Sequence, residues 1–156
     1  MEKVREECGK LIEGFKQLMD SIKAGKDFIA RLPFFARGFA AQDFQQSTGM
    51  SHDEWIQALD KVIEELETFQ RTDEVETLRG AVKRLEDTSE KLLGHLEAYS
   101  RYLETIPGKI RQAAAFIAIS EEALKNAMEA PRYAEAVREL KKRFGEFLRE
   151  AKAILD

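Results

Sequence analysis

Histidine, cysteine and carboxylate side chains are the residues of this sequence that could perform acid–base, nucleophilic or metal chemistry. There are two histidines, His52 and His95, and one cysteine, Cys8. A di-iron helical bundle needs a glutamate three residues before an inward-facing histidine, but those positions hold Gly49 and Leu92. The residue spacings of zinc and calcium sites are also absent. We therefore predict no catalytic residue, no metal ligand and no cofactor, and a protein that is not an enzyme.

The two histidines and the cysteine each have a simple structural interpretation. His95 falls beside the apolar positions of a helix, which is typical of a boundary residue, and His52 falls in a first helical turn, where we expect it to be exposed. Cys8 lies on an apolar stripe, which indicates a small buried side chain, with a reactive or intermolecular thiol as the alternative.

Cysteine content and hydropathy together favour a cytoplasmic location. A single cysteine forms no internal disulfide, as is usual in a reducing compartment. The first residues contain no long apolar run, so we expect no signal peptide. The longest apolar stretch, from Ala113 to Ile119, is too short to span a bilayer.

One segment concentrates aromatic residues, because four of the ten phenylalanines fall within eleven positions. Two interpretations remain open. The rings could cap the core of the fold from a short helix or loop, or they could form an exposed, mildly basic patch for a partner protein, an apolar ligand or a membrane surface. The candidate residues of this patch are Arg31, Phe34, Phe35, Arg37, Phe39 and Phe44.

Apolar residues recur at alternating spacings of three and four, the pattern of amphipathic helices. The first helix is predicted from Val4 to Leu32 and ends at Pro33, because the residue before a proline avoids helical geometry. Ser51 and Glu54 form a capping box that starts the next helix. A slip in the repeat then predicts a turn near residues 71–72.

The longest regular pattern follows this turn and runs from Val75 to Ile106. We expect Pro107 and Gly108 to make a turn, with one helix kinked at Pro107 as the alternative, because the repeat continues in phase beyond it. Pro131 is expected in the first turn of the last helix. The sequence thus predicts an all-α protein, an antiparallel up-and-down bundle of four to five long amphipathic helices. Residues 1–156 form one domain, and the aromatic segment 33–50 lies between the first two helices.

Charge and periodicity together suggest what such a bundle does. The net charge of −4 argues against a nucleic-acid partner. Residues 53–90 carry a net charge of −7 and residues 22–41 one of +3, so the segments could pair within the bundle or between copies. We expect a non-enzymatic interaction, adaptor or assembly protein that binds a protein partner or itself as a homo-oligomer. The alternative is a bundle that binds an apolar ligand or a membrane surface through Phe34–Phe44.

Overall fold

The chain forms five α-helices and no β-strand in a computed structural model that describes residues 1–156. The short second helix occupies the aromatic segment, and the other four form the body of the bundle. This confirms the predicted all-α helical bundle. The helices are α1 (Glu2–Ala30), α2 (Phe34–Thr48), α3 (His52–Arg71), α4 (Val75–Ala113) and α5 (Glu121–Leu155).

Contacts between the four long helices fix an up-and-down arrangement. Cys8 of α1 contacts Leu66 near the end of α3, whereas Lys26 contacts Asp53 at its start, so α1 and α3 are antiparallel. α4 and α5 are also antiparallel, because Glu86 pairs with Lys152, whereas Glu104, later in α4, pairs with Arg138, earlier in α5. Phe15 packs against Phe144 and links α1 to α5. The order around the bundle is therefore α1, α3, α4, α5.

Large apolar side chains fill the half of the bundle that is distant from α2. Phe69 and Phe147 meet edge to face with ring centroids 5.2 Å apart, and Phe15 and Phe144 do the same at 5.3 Å. Such pairs combine a large buried area with a favourable ring geometry. Four leucines on the predicted seams, one each on α1, α3, α4 and α5, are all buried: Leu11, Leu66, Leu85 and Leu140.

The predicted signals at the first two helix boundaries are confirmed. α1 ends at Ala30, just before Pro33. Both hydrogen bonds of the capping box are formed: Glu54 N donates to Ser51 Oγ at 3.2 Å, and Ser51 N donates to Glu54 Oε1 at 3.0 Å. Residues 72–74 separate α3 from α4, close to the predicted turn.

The expected turn at Pro107 is wrong, and the alternative of one helix continuing through it is correct for α4. The expectation that Pro131 lies in a first helical turn is also wrong, because α5 begins ten residues earlier, at Glu121. Each proline lacks an N–H, so the carbonyl four residues earlier loses its usual helical partner. The two helices pack along each other on both sides of these positions, and this packing maintains them despite the missing bonds. The contacts Glu104–Arg138 and Arg111–Met128 lie on either side of both prolines, which places Pro107 and Pro131 at one level of the bundle.

The aromatic segment is the helix α2, which lies antiparallel to α4. His95 contacts Thr48 at the end of α2, and Lys109 contacts Asp43 one turn earlier. Phe44 and Thr48, both in the second half of α2, are its buried residues. The first half therefore extends beyond the closely packed part of the bundle, next to the connection between α4 and α5.

Candidate functional site

An open apolar cleft of about 1290 Å³ lies at the end of the bundle that carries α2. It is lined by the last turns of α1 and α4, by α2, by the first turns of α5 and by the connection at residues 114–120. Of its 36 lining residues, 24 are hydrophobic. We call it the end cleft. Pockets for small ligands usually measure about 300–1,000 Å³, so the end cleft has room for a larger apolar group.

Small side chains at inward positions create the end cleft. Its walls include Gly25 and eight alanines, among them Ala40, Ala113, Ala127 and Ala130. At the other end of the bundle the corresponding space is filled by phenylalanine rings. These alanines come from α1, α2, α4, α5 and the connection between α4 and α5, and their short side chains leave the space between the helix ends unfilled.

Phe44 holds α2 against the bundle. It is 2% exposed, and its ring stacks on the imidazole of His52 with centroids 3.6 Å apart. The Tyr102 ring of α4 meets it edge to face at 5.3 Å. Burial lowers the pKa of His52 to about 4, so the imidazole is neutral at physiological pH. The prediction that His52 is exposed is therefore wrong, because α2 covers this first turn of α3.

A hydrogen-bonded turn joins α2 to α3 beside this stack. Trp55 Nε1 donates to Thr48 Oγ1 at 3.0 Å, and Nδ1 of His95 lies 3.0 Å from the carbonyl oxygen of Thr48. Gly49 ends α2 with φ 88°, a left-handed conformation that favours glycine. A Cβ atom at this position would lie 2.6 Å from the His95 ring. These contacts fix the orientation of α2 relative to α3.

The candidate patch divides into one anchoring ring and three exposed rings. Phe44 is buried, as the core-capping interpretation predicts, whereas Phe34, Phe35 and Phe39 are 83%, 57% and 78% exposed. Phe35 and Phe39 line the end cleft, and Phe34 meets Phe35 edge to face at 6.2 Å. We call these three exposed residues the aromatic lip. Arg31 and Arg37 are exposed beside them, so the structure brings all six candidate residues to one end of the bundle.

The apolar connection between α4 and α5 completes the end cleft, and it was not among the candidate residues. Phe116 at its tip is 86% exposed, and Ile117 and Ile119 line the end cleft with it. Connections usually carry polar residues because they face water. The run Ala113–Ile119, noted above only as too short to span a membrane, was the available signal. An apolar run at a helix–helix connection indicates a surface rather than a core element.

The unpaired charges at this end are mostly basic beside the aromatic lip and acidic along α5, and one further unpaired carboxylate, Asp27 of α1, also lines the end cleft. Arg31 and Arg37, on the side of the aromatic lip, form no ion pair within the chain. On the α5 side, Glu122 and Glu129 are also exposed and without an ion pair. Arg37 Nε donates to the carbonyl oxygen of Leu32, which leaves most of its guanidinium unbonded. Lys109 is different, because it pairs with Asp43.

Three tyrosines at or near this end are wholly or partly buried. The hydroxyls of Ser21 and Tyr99 are 2.8 Å apart, and burial raises the pKa of Tyr99 to about 12. Burial also raises the pKa values of Tyr102 and Tyr133. No three His, Cys, Asp or Glu side chains are grouped so as to hold a metal ion. The site offers apolar contact and charge rather than a set of reacting groups.

None of the five helices combines the length and apolar character that crossing a membrane requires. Comparisons with protein-family models, with curated proteins and with solved structures found no match to this chain.

Proposed function

We propose that this protein is a non-enzymatic interaction protein that binds an apolar surface of a protein partner in the end cleft. One observation carries the proposal: three exposed phenylalanine rings and the exposed Phe116 surround a cleft whose lining is mostly hydrophobic. An adaptor or assembly role follows from this arrangement, because the rest of the bundle is a closed scaffold with a well-packed core.

Uncovered apolar surface at the end cleft supplies the free energy for binding a partner. Single exposed apolar residues are common on any protein, but contiguous patches above a few hundred Å² usually mark an interaction site. The aromatic lip and Phe116 are contiguous with the walls of the end cleft. Covering them removes apolar area from water at about 25 cal/mol per Å².

The distribution of charge supports a protein partner over nucleic acid or an anionic membrane. The side chains lining the end cleft include four carboxylates and two cations, and one of these cations, Lys109, is paired with Asp43. Away from this end, Arg138 and Lys141 contact Glu97 and are not available as a basic patch. Binding to phosphates requires a clear excess of unpaired lysine and arginine.

An amphipathic helical peptide is the appropriate probe, because grooves between helices commonly accept the apolar face of a helix. We expect a fluorescent peptide with leucines on one face to bind and to gain anisotropy. The double variant Phe35→Ser/Phe39→Ser should weaken this binding by about tenfold or more, since it removes two aromatic contacts.

The matched control carries Val75→Ser and Ile154→Ser. Both residues are exposed and apolar, at 47% and 48%, and they lie at the opposite end of the bundle. This variant should bind the peptide as the wild type does. Absence of peptide binding, or equal loss in the two variants, would contradict the proposal.

A second candidate function, binding of an apolar small molecule, is favoured by the depth of the end cleft. Its wall carries the Tyr133 side chain, which would orient the polar end of a ligand. A fluorescent fatty acid tests it. Saturable binding with one ligand per chain, lost on Ala127→Leu, would favour this function, whereas unsaturable partitioning would exclude it. Neutral vesicles in the same assay test the membrane-surface alternative.

We also propose a cytoplasmic location. Cys8 is fully buried and its thiol is free. Free structural thiols of this kind are typical of proteins that fold under reducing conditions. Fractionation of cells that express a tagged full chain would test this, and recovery in a membrane or exported fraction would contradict it.

A further inference from the structure

We propose that the partner in the end cleft is a second copy of this chain, docked so that the aromatic lip of each copy enters the end cleft of the other. The inference rests on the proposed function, because it identifies the partner of the same surface. Three observations carry it: the shared position of lip and cleft, the area they expose, and the charges on their two sides.

The lip and the cleft lie at the same end of the same molecule. Phe35 and Phe39 belong to the wall of the end cleft and also project from it, at 57% and 78% exposure. A two-fold dimer pairs one surface patch with itself, so each copy must carry both halves of every contact. A projecting element beside a recess meets this condition, because rotation by half a turn brings each lip onto the opposite recess.

The exposed area matches what a stable dimer requires. Phe34, Phe35, Phe39 and Phe116 together expose the surface of about three phenylalanine side chains, or roughly 450–750 Å². A standard interface buries about 800 Å² on each partner. The apolar walls of the end cleft supply the remainder. By area, a second copy is sufficient to cover all four rings.

The unpaired charges are complementary between copies. Among the charges without an ion pair, the lip side carries Arg31, Arg37 and one carboxylate, Asp27, and is net basic, whereas the α5 wall of the end cleft carries Glu122 and Glu129. Reciprocal docking brings the lip side of one copy against the α5 side of the other, so each arginine pair meets a glutamate pair. A surface of one sign would repel itself in such a dimer.

Sedimentation of the full-length chain and of two charge-reversal variants tests this arrangement. The wild type should be dimeric at roughly 100 µM, as expected for an interface of this size. Arg31→Glu/Arg37→Glu alone, and Glu122→Lys/Glu129→Lys alone, should each weaken the dimer by about tenfold or more, because like charges then meet at both contacts. An equimolar mixture of the two variants should restore dimers, since a mixed dimer has opposite charges at both contacts.

A matched control reverses two charges elsewhere. Lys61 and Lys83 are exposed, form no ion pair and lie outside the end cleft, so Lys61→Glu/Lys83→Glu should leave the dimer unchanged. Circular dichroism of each variant verifies that the helices are retained. Recovery in the mixture supports the proposal even where one variant is less stable, because a merely misfolded chain would not be rescued.

Two results would overturn the inference: a wild type that stays monomeric at roughly 1 mM, or charge-reversal variants whose mixture forms no dimer. Neither would by itself contradict the proposed function, which depends on binding of the amphipathic peptide. A monomer that binds the peptide through Phe35 and Phe39 would indicate a different protein partner. A monomer that binds no peptide would contradict both.

Discussion

The ring of Phe44 lies flat on the imidazole of His52, with the two planes inclined by only 12°. This contact joins the second half of α2 to the first turn of α3. It explains how one helix can be anchored at one end and extend into solvent at the other. The first half of α2 is held by no comparable contact, and it carries the aromatic lip.

Because Phe44 anchors α2, removing its ring should lower stability far more than removing an exposed ring of the same helix. Phe44→Ala should lower the free energy of unfolding by about 3–5 kcal/mol, the usual cost of removing a buried phenylalanine. Phe34→Ala should change it by less than about 0.5 kcal/mol, since this ring is exposed. Urea unfolding measures both. Hydrogen exchange should show α2 amides losing protection in Phe44→Ala first, and unchanged protection would show that the anchor lies elsewhere.

The buried imidazole predicts a loss of stability on mild acidification. His52 has a pKa of about 4 in the folded protein because of burial, against about 6.5 in the unfolded chain. The unfolded state therefore binds more protons between these values, and stability present above pH 6.5 decreases as the pH falls towards 4. The decrease from pH 7 to pH 4.5 should be about 2 kcal/mol.

His52→Phe is the control for this pH dependence, because it retains a ring against Phe44 and cannot take up a proton. Asp53 and Lys26 are the neighbouring charges, and both remain in the variant. Urea unfolding over this pH range should give a flatter stability profile for His52→Phe. Identical profiles for both proteins would show that His52 does not titrate with folding.

Filling the end cleft should stabilise the monomer and prevent binding. Ala127 is buried and lines the end cleft, so Ala127→Leu adds apolar contacts where there is space and should raise the free energy of unfolding by about 0.5–2 kcal/mol. The same variant should lose peptide binding and dimerisation.

Ala134→Leu is the comparison for this substitution. Ala134 is 0% exposed, two turns further along α5 and outside the end cleft. A larger side chain there overpacks the core and should lower stability by about 1–3 kcal/mol. Equal effects of the two substitutions on the free energy of unfolding would mean that there is no more free space around Ala127 than around Ala134.

The thiol of Cys8 should report on the packing of α1 against α3. Its Sγ lies 3.1 Å from the carbonyl oxygen of Leu66, and burial raises its pKa to about 12. Reaction with an aromatic disulfide reagent at pH 8 should be about a hundredfold slower in the folded protein than in urea, because it requires local opening and ionisation. Labelling at the rate of a free thiol would contradict this packing.

Helix starts and ends could be predicted from the sequence where the signal involves neighbouring residues alone. Ser51 and Glu54 satisfy each other's backbone groups, and Pro33 ends α1, whatever the rest of the chain does. Pro107 is different, because a local rule competes with packing. The apolar repeat continues in phase through Ile106 and Ile110, and long-range contacts with α5 outweigh the missing hydrogen bond.

The division of the aromatic segment could not be predicted from composition. Phe39 and Phe44 are five residues apart, which places them about 140° apart around a helix, so one faces the bundle when the other faces out. Which of them is buried depends on how α2 lies against α4 and α3. The end cleft itself depends on the alignment of alanines from several helices, and that alignment is fixed only by the tertiary structure.

The two prolines at one level of α4 and α5 have a consequence for the shape of the end cleft. Each helix already lacks a backbone hydrogen bond there, so we expect α4 and α5 to bend more readily at this level than elsewhere. The half of the bundle that is distant from α2 holds the paired phenylalanine rings and should keep its shape during such bending. We therefore expect the width of the end cleft to be adjustable while the rest of the bundle stays rigid.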